Sequence, residues 1–375
     1  MKKIKFAGIM VALFFVASFA AGPAWTTKRL TNTATETYDP AIAADGAYVY
    51  VVWDDSQSGN SEIYFRKSAD SGATWGAAKR LTYTTSKSLV PTVAADGAIV
   101  YVAWHDSAPG HDEIFFRKSL DGGATWQSAK RITNNAAGSV CPKLAVDGSK
   151  VYLVWYGSAT GNIEIYFAKS LDGGATWKAA KRLTDNEGKS YVPDIAVAGA
   201  NIYVVWYDDT PGNNEIYFKR STDGGETWEG AKRLTSNPGA SQAPAIAANG
   251  SKVYVVWLDD TTGNKEIYLR KSADGGATWK TPKKLTNNVA DSEDPAIAVI
   301  GEQVYLTFDD YTPGNWDIYF KQSVDGGTSW TASQNLTNTA GGSAWPRIAA
   351  TAANIFIVYC DETPGNGETY VKVSL

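Results

Sequence analysis

Cysteine, histidine and methionine each occur only twice in 375 residues. Cys141 and Cys360 cannot make a disulfide framework. Scarce methionine, and the lack of long runs of leucine, glutamate and lysine, set a helical bundle aside. A basic excess is also missing. The formal net charge is −4, whereas proteins that grip a nucleic-acid backbone carry a clear positive surplus. No nucleic-acid partner is expected. Beyond Phe19 no apolar run reaches the length of a membrane span.

What is plentiful points to strands. The chain holds 14 Trp, 20 Tyr and 12 Phe beside 35 Gly and 14 Pro. Aromatic residues favour strands, and glycine and proline punctuate turns. A charged fraction of 20% with 44% hydrophobic residues belongs to a globular chain rather than a disordered one.

The N-terminus reads as an address. Lys2, Lys3 and Lys5 precede the apolar stretch from Phe6 to Phe19, and Ser18-Phe19-Ala20 offers a small-x-small cleavage site. This predicts a cleaved export signal over residues 1–20, its apolar part too short to span a bilayer comfortably. Without those three lysines, 35 basic residues become 32 against 39 acidic ones. The mature chain, 21–375, is therefore expected to be an acidic monomer, periplasmic or extracellular, with no membrane span.

Self-comparison finds one unit written seven times. Pro-x-(Ile/Val/Leu)-Ala begins at Pro40, Pro91, Pro142, Pro193, Pro244, Pro295 and Pro346, always 51 residues apart. An aromatic recurs at Trp53, Trp104, Trp155, Trp206, Trp257, Phe308 and Tyr359, and an acid opens the "EIYF" run from Glu62 to Glu368 at the same period. Each unit reads as four short strands. In the second unit these are Thr92–Ala95, Ile99–Trp104, Glu113–Lys118 and Trp126–Thr133, separated by Asp-Gly, Pro-Gly and Asp-Gly-Gly turns. So small a sheet buries both faces only by stacking around an axis. The expected fold is all-β, a seven-bladed β-propeller of four-stranded antiparallel blades. The chain ends after the third strand of its last unit. The surplus fourth strand, Lys28-Arg29-Leu30-Thr31, stands at the beginning. It is expected to complete the last blade and remove two open sheet edges, with Trp25 replacing the missing seventh turn tryptophan.

Six units carry Ser-x-Asp-x-Gly-x-(Thr/Ser)-Trp, starting at Ser68, Ser119, Ser170, Ser221, Ser272 and Ser323. This sequence resembles the Asp-box, or BNR repeat, of the sialidase-like propellers. The residues give it a structural reading. The carboxylate accepts N–H bonds across the turn, and the tryptophan buries a broad apolar face. The resemblance implies that the boxes lie away from the active face. The arginines of the "KRLT" strands, Arg29, Arg80, Arg131, Arg182 and Arg233, are read as solvated edge charges.

A binding site on a repeat scaffold shows as departures from the repeat. The residue after the second-strand aromatic varies: Asp54, His105, Tyr156, Tyr207, Leu258, Asp309 and Cys360. The two residues before each proline vary as well, and both sets are expected to ring the channel mouth. Blades six and seven bring together Trp316, Tyr311, Asp309, Asp310, Trp345 and Arg347. Aromatic faces with carboxylates and a cation suit a sugar ring. A second candidate patch is His105, Tyr156, Tyr207 and Tyr191. The paired aspartates of the second loop can hold a hard cation such as Ca²⁺, although capping of their own loops is the preferred reading. Cys141 and Cys360, three blades apart, are expected to be free thiols.

The resemblance implies an exo-sialidase, whose chemistry places three arginines on the substrate carboxylate, a Tyr–Glu nucleophile pair and an Asp acid. Here Arg347 is the only arginine on an inner strand, the units number seven rather than the family's six, and no long insertion interrupts them. No catalytic residue and no metal ligand is assigned. The expected function is binding of a glycan or cell-surface polysaccharide. A sialidase-like glycoside hydrolase is the alternative, and a protein-interaction scaffold the second alternative.

Overall fold

The computed structural model describes residues 22–375. The expected export signal lies outside them. Seven separate four-stranded antiparallel sheets form the blades of one propeller. In blade 1 the inner strand is Thr37–Asp45, followed by Tyr48–Asp55, Glu62–Ser68 and the outer Lys79–Arg80. The outer strand is shorter than the sequence predicts. In blade 2 it is only Lys130–Arg131, because Gln127 N–H bonds to Lys118 O at 2.9 Å, Ile132 N–H bonds to Ile114 O at 2.7 Å, and the chain bows out between them. The inner strand is longer, starting at Ser88 and crossing a bulge.

The ring closes through the N-terminus. Trp25–Arg29 pairs antiparallel with Glu368–Ser374, from Trp25 opposite Ser374 to Arg29 opposite Tyr370. In blades 2 to 5, wherever the preceding third strand carries Phe, the box tryptophan meets that ring edge-on, as Trp126 does with Phe65 at 5.0 Å and Trp279 with Phe218 at 4.9 Å. Trp25 meets Phe320 in the same way at 5.1 Å. It fills the place of the seventh box tryptophan.

The core lies between blades. Val49, Val51 and Trp53 of blade 1 pack on Phe356 and Val358 of blade 7, and the same layer repeats around the ring. All seven second-strand aromatics stack on the third strand of their own blade, from Trp53–Tyr64 at 6.1 Å to Phe308–Tyr319 at 5.7 Å. Five of the 14 tryptophans are placed here, and their role is packing.

The boxes are turns. Asp70 Oδ1 accepts the Ser68 hydroxyl at 2.7 Å and Thr74 N–H at 2.8 Å, while Ser68 Oγ accepts Gly72 N–H at 2.8 Å. The donors from Thr74 hold the exposed Asp70 carboxyl down at about 2. Neighbouring blades use the turn as well, since Lys79 Nζ donates to Gly123 O at 2.9 Å.

The "KRLT" arginines are not solvated edge charges, with one exception. Arg29, Arg80, Arg131 and Arg233 pair with the fully buried Glu368, Glu62, Glu113 and Glu215 at 2.9, 2.8, 2.9 and 2.6 Å. Arg182 turns to Asp185. A carboxylate removed from water needs a charge partner and donors. The strand-opening acid demands one, and the outer strand supplies it. Blade 6 changes both partners together, so Asn335 donates to Asp317 at 2.9 Å. Burial alone would raise the Glu113 carboxyl, but donors from Thr133, Asn135, Arg131 and His111 bring it below the usual range.

Candidate ligand site at the channel mouth

Each inner strand carries a bulge at its proline. In blade 1, Tyr38 pairs with Asp54 and Ala41 with Val52, so Asp39 and Pro40 together oppose Trp53. Proline has no N–H to give the ladder, and a bulge is where it fits. The residue before each proline is left-handed in all seven blades: φ is 48° at Asp39, 50° at Val90, 53° at Cys141, 48° at Val192, 48° at Ala243, 44° at Asp294 and 56° at Trp345. For residues with a Cβ this conformation costs roughly 1–3 kcal/mol each, most for the β-branched valines. The bulge makes a ring of side chains at the axis, and the sequence varies them.

The two variable sets of the sequence are one set in space. Every residue two before a proline is the register partner of the residue after the second-strand aromatic. Tyr191 faces Tyr207, Glu293 faces Asp309 and Ala344 faces Cys360. Cross-strand partners are the natural unit of a site on a sheet.

Between blades 6 and 7 the mouth opens into a pocket of about 250 Å³. Trp316 and Trp345 line it with Asp309, Asp294, Glu293 and Glu362. Tyr38 of blade 1 meets Trp345 edge-on at 5.7 Å, and Tyr311, which is 44% exposed, stands 5.3 Å from Trp316. Asp309 is buried. One carboxyl oxygen accepts Trp345 N–H at 3.2 Å, and the other has no partner. Burial first, then the nearby Asp294 carboxylate, pushes this carboxyl well above its ordinary range. Its second oxygen is left in the pocket lining without a protein partner.

Asp310 and Arg347 go elsewhere. Asp310 sits on the opposite side of the strand, where Oδ2 accepts the Ser292 hydroxyl at 2.7 Å and Oδ1 accepts Thr312 N–H at 2.8 Å. Its counterparts repeat this cap: Asp106 accepts Ser88 Oγ at 2.7 Å and Asp259 accepts Ser241 Oγ at 2.8 Å. Arg347 points into the axial channel beside Lys143 and Asp194.

In the second patch Tyr191 stacks on Tyr207 at 5.4 Å and meets Tyr156 edge-on at 5.7 Å. The Cys141 thiol lies 3.7 Å from the Tyr156 hydroxyl. His105 is buried with Nδ1 unpartnered, and burial pulls its pKa down, so it stays neutral. No ring contact joins it to the tyrosines among the described residues. Both thiols are free.

The sequence reading missed Lys143 and Asp194. The signal was available one residue past each proline, where four of seven units carry Ala or Thr and three carry a charge. It also missed Asp54, the blade 1 counterpart of Asp309, as a perturbed acid. Burial and the Asp39 carboxylate push Asp54 up to about 8.

Residues 17–204 match the family described as BNR repeat-like domain. The chain belongs to that family. Among curated relatives, this BNR repeat-like chain is 25% identical over 281 residues to Xyloglucanase Xgh74A of Acetivibrio thermocellus, a match covering 64% of the chain and 31% of the xyloglucanase. It thus spans about a third of the length of that relative. Among solved structures, polysaccharide lyase Uly1 superposes with a TM-score of 0.62 at 10% identity, covering 89% of each chain. Phage phi92 endosialidase gives 0.56 at 10% identity, over 94% of this chain and 69% of that one. Trypanosoma rangeli sialidase gives 0.55 at 13%, over 94% and 60%. At these identities the likeness to solved structures is one of fold, the sialidase-like propeller. No helix among the described residues is long and apolar enough to cross a membrane.

Proposed function

We propose that this BNR repeat-like propeller is an exported glycan-binding module whose ligand sits between blades 6 and 7. One observation carries the reading: Trp316 and Trp345 wall a pocket in which the buried Asp309 offers an unused carboxyl oxygen. A sugar presents an apolar face to aromatics and hydroxyls to carboxyls. The relatives named xyloglucanase, endosialidase and polysaccharide lyase favour a carbohydrate as the ligand class. A glycan array identifies a binder, and calorimetry with that glycan measures it. Trp316→Ala and Trp345→Ala are each expected to weaken binding at least about tenfold, roughly 1.4 kcal/mol. Unchanged affinity in both variants sinks the site.

A hydrolase is the runner-up, and Asp309 beside Glu293 and Asp294 is the observation in its favour. One neutral and one ionised carboxyl across a sugar is the pattern of glycoside cleavage. Sialidase action is not expected, because Arg347 is the one arginine lining the channel among the described residues. A fluorogenic sialoside should stay intact. Turnover that Asp309→Asn abolishes would move the assignment from binding to catalysis.

A further inference from the structure

Tyr83 closely follows the outer strand of blade 1, and its side chain is 74% exposed. The same position in the other units holds Asn32, Asn134, Asp185, Ser236, Asn287 and Asn338, short polar residues that suit a chain leaving a strand. The aromatic ring therefore answers no demand of the repeat. It is nevertheless held in place. The Arg80 guanidinium lies 4.6 Å from the ring centroid, and Arg80 is itself fixed by Glu62 at 2.8 Å and by Thr82 O at 2.7 Å. A cation thus braces one face of the ring.

Tyr83 lines a cleft of about 380 Å³ on the rim between blades 1 and 2. The buried Trp104 and the Phe115 ring stacked on it at 6.0 Å form its wall. Arg117 bridges the two blades. Its Nε donates to Gln127 O at 2.6 Å in blade 2, and its Nη1 donates to Leu81 O of blade 1. Neither Arg117 Nη2 nor the Tyr83 hydroxyl has a partner among the described residues. The Asp106 carboxylate is already engaged by Ala108 N–H at 2.8 Å and the Ser88 hydroxyl at 2.7 Å. Three periods along the chain the same frame recurs between blades 4 and 5, where Trp257, Tyr268 and Arg270 line a cleft of about 540 Å³. Ser236 stands there in the place of Tyr83. The cleft comes from the repeat, and the exposed ring beside it is the departure.

We propose that the rim cleft between blades 1 and 2 is a second saccharide site, in which one neutral pyranose residue lies against the Tyr83 ring and its hydroxyl oxygens accept from Arg117 Nη2. The inference rests on the glycan reading above and adds a contact separate from the mouth. A pyranose sets its C–H face on an aromatic and its hydroxyls toward fixed donors. A ring face and a donor ask for no charge on the ligand. A ring that is already braced loses little freedom when the sugar arrives. Two sites on one rigid ring suit a polymer, whose linked residues meet the second site at a raised effective concentration.

Calorimetric titrations with cellotetraose, xyloglucan heptasaccharide, chitotetraose and sialyllactose test this. At least one of the three neutral probes is expected to bind the parent at two sites per chain. The double variant Trp316→Ala/Trp345→Ala, without the walls of the mouth pocket, should keep one of them. Adding Tyr83→Ala should weaken that remaining site at least about tenfold. Adding Tyr83→Trp should retain it. Adding Tyr48→Ala, which removes a 39% exposed aromatic outside the cleft, should leave it unchanged. Melting temperatures of the Tyr83 variants should match their background, because the ring is no part of the core. If the parent binds and the double variant does not, the mouth reading stands and the rim site falls. If the double variant binds as the parent does and Tyr83→Ala abolishes binding, the rim site stands and the mouth reading falls. The rim site also falls if Tyr83→Ala binds as its background does, if sialyllactose alone binds, or if no probe binds any of the proteins.

Discussion

At pH 9 the Asp54→Asn variant is expected to melt well above the parent protein, and at pH 4 the two should melt together. Asp54 is 1% exposed and stands one residue before the end of the second strand of blade 1, and one of its carboxyl oxygens has no partner. Burial, then the carboxylates of Asp39 and Asp55, outweigh the one backbone N–H, from Val90, that favours the ionised form, and the pKa rises to about 8. An unfolded aspartate titrates near ~3.9. Between these values the folded chain keeps a proton that the unfolded chain has released. Stability therefore falls as pH rises through this window, by up to ~1.4 kcal/mol per pH unit for one such group. The accumulated cost near pH 8 is on the order of a few kcal/mol. Asparagine has the shape of the protonated carboxyl and no charge to lose. The gain should be absent at pH 4, grow through neutrality and level off above pH 8, reaching several degrees in Tm. Equal shifts at both pH values would show that Asp54 is ionised in the fold. Asp309 shares this sign of pH dependence, so the parent itself should be most stable on the acid side of neutrality until the box aspartates protonate. Those are depressed, as Asp70 is to about 2, and their contribution is lost only as pH falls toward that value.

Asp54 and Asp309 also show how far the sequence could be read. The period of 51 was open to view because each landmark answers a demand repeated in every blade: an aromatic to fill the layer between sheets, a box to turn the chain, a proline at the bulge. The fold follows from the period. Departures from it led to the mouth, and register explains why two separate lists of variable positions are one ring. The neighbours Asp309 and Asp310 could not be separated by residue type. Strand alternation sends Asp310 to the loop hydroxyls and Asp309 to the pocket. The Glu–Arg pairs were hidden because the partners are 18 residues apart and meet only across strands, as in Glu62 and Arg80. Blade 6 held the clue. A shorter acid, Asp317, appears with a neutral Asn335 in the same unit. Lys143 and Asp194 follow their prolines, and only the bulge, which a single sequence does not display, brings that position to the channel wall.

Deleting the closing strand, residues 22–31, should abolish cooperative folding, whereas Trp25→Ala should leave a folded but weakened ring. The deletion removes several kinds of contact at once. It strips the five-residue register from Glu368–Ser374, leaving an open edge that carries the buried Val371 and Val373. Leu30, 2% exposed, leaves the core shared with Trp53 and Phe356. Glu368 loses Arg29 at 2.9 Å while fully buried; breaking a buried pair by taking one partner costs about 3–5 kcal/mol. Thr369 N–H loses Thr31 Oγ1 at 2.8 Å. These sums rival the whole stability of an ordinary domain, ~5–15 kcal/mol, and an unpaired apolar edge invites association. The truncated chain is expected to elute as aggregate and to show no sharp melting transition. Trp25→Ala removes the half-buried ring that meets Phe320 at 5.1 Å, with its Nε1–H bond to Gln334 Oε1 at 3.3 Å. Its cost should match that of Trp126→Ala, the same contact inside the ring at 5.0 Å, at roughly 2–4 kcal/mol by denaturant midpoint. A truncated chain that melts sharply as a monomer would mean that six complete blades and one three-stranded blade hold the ring unaided, and closure by the first strand would then be dispensable.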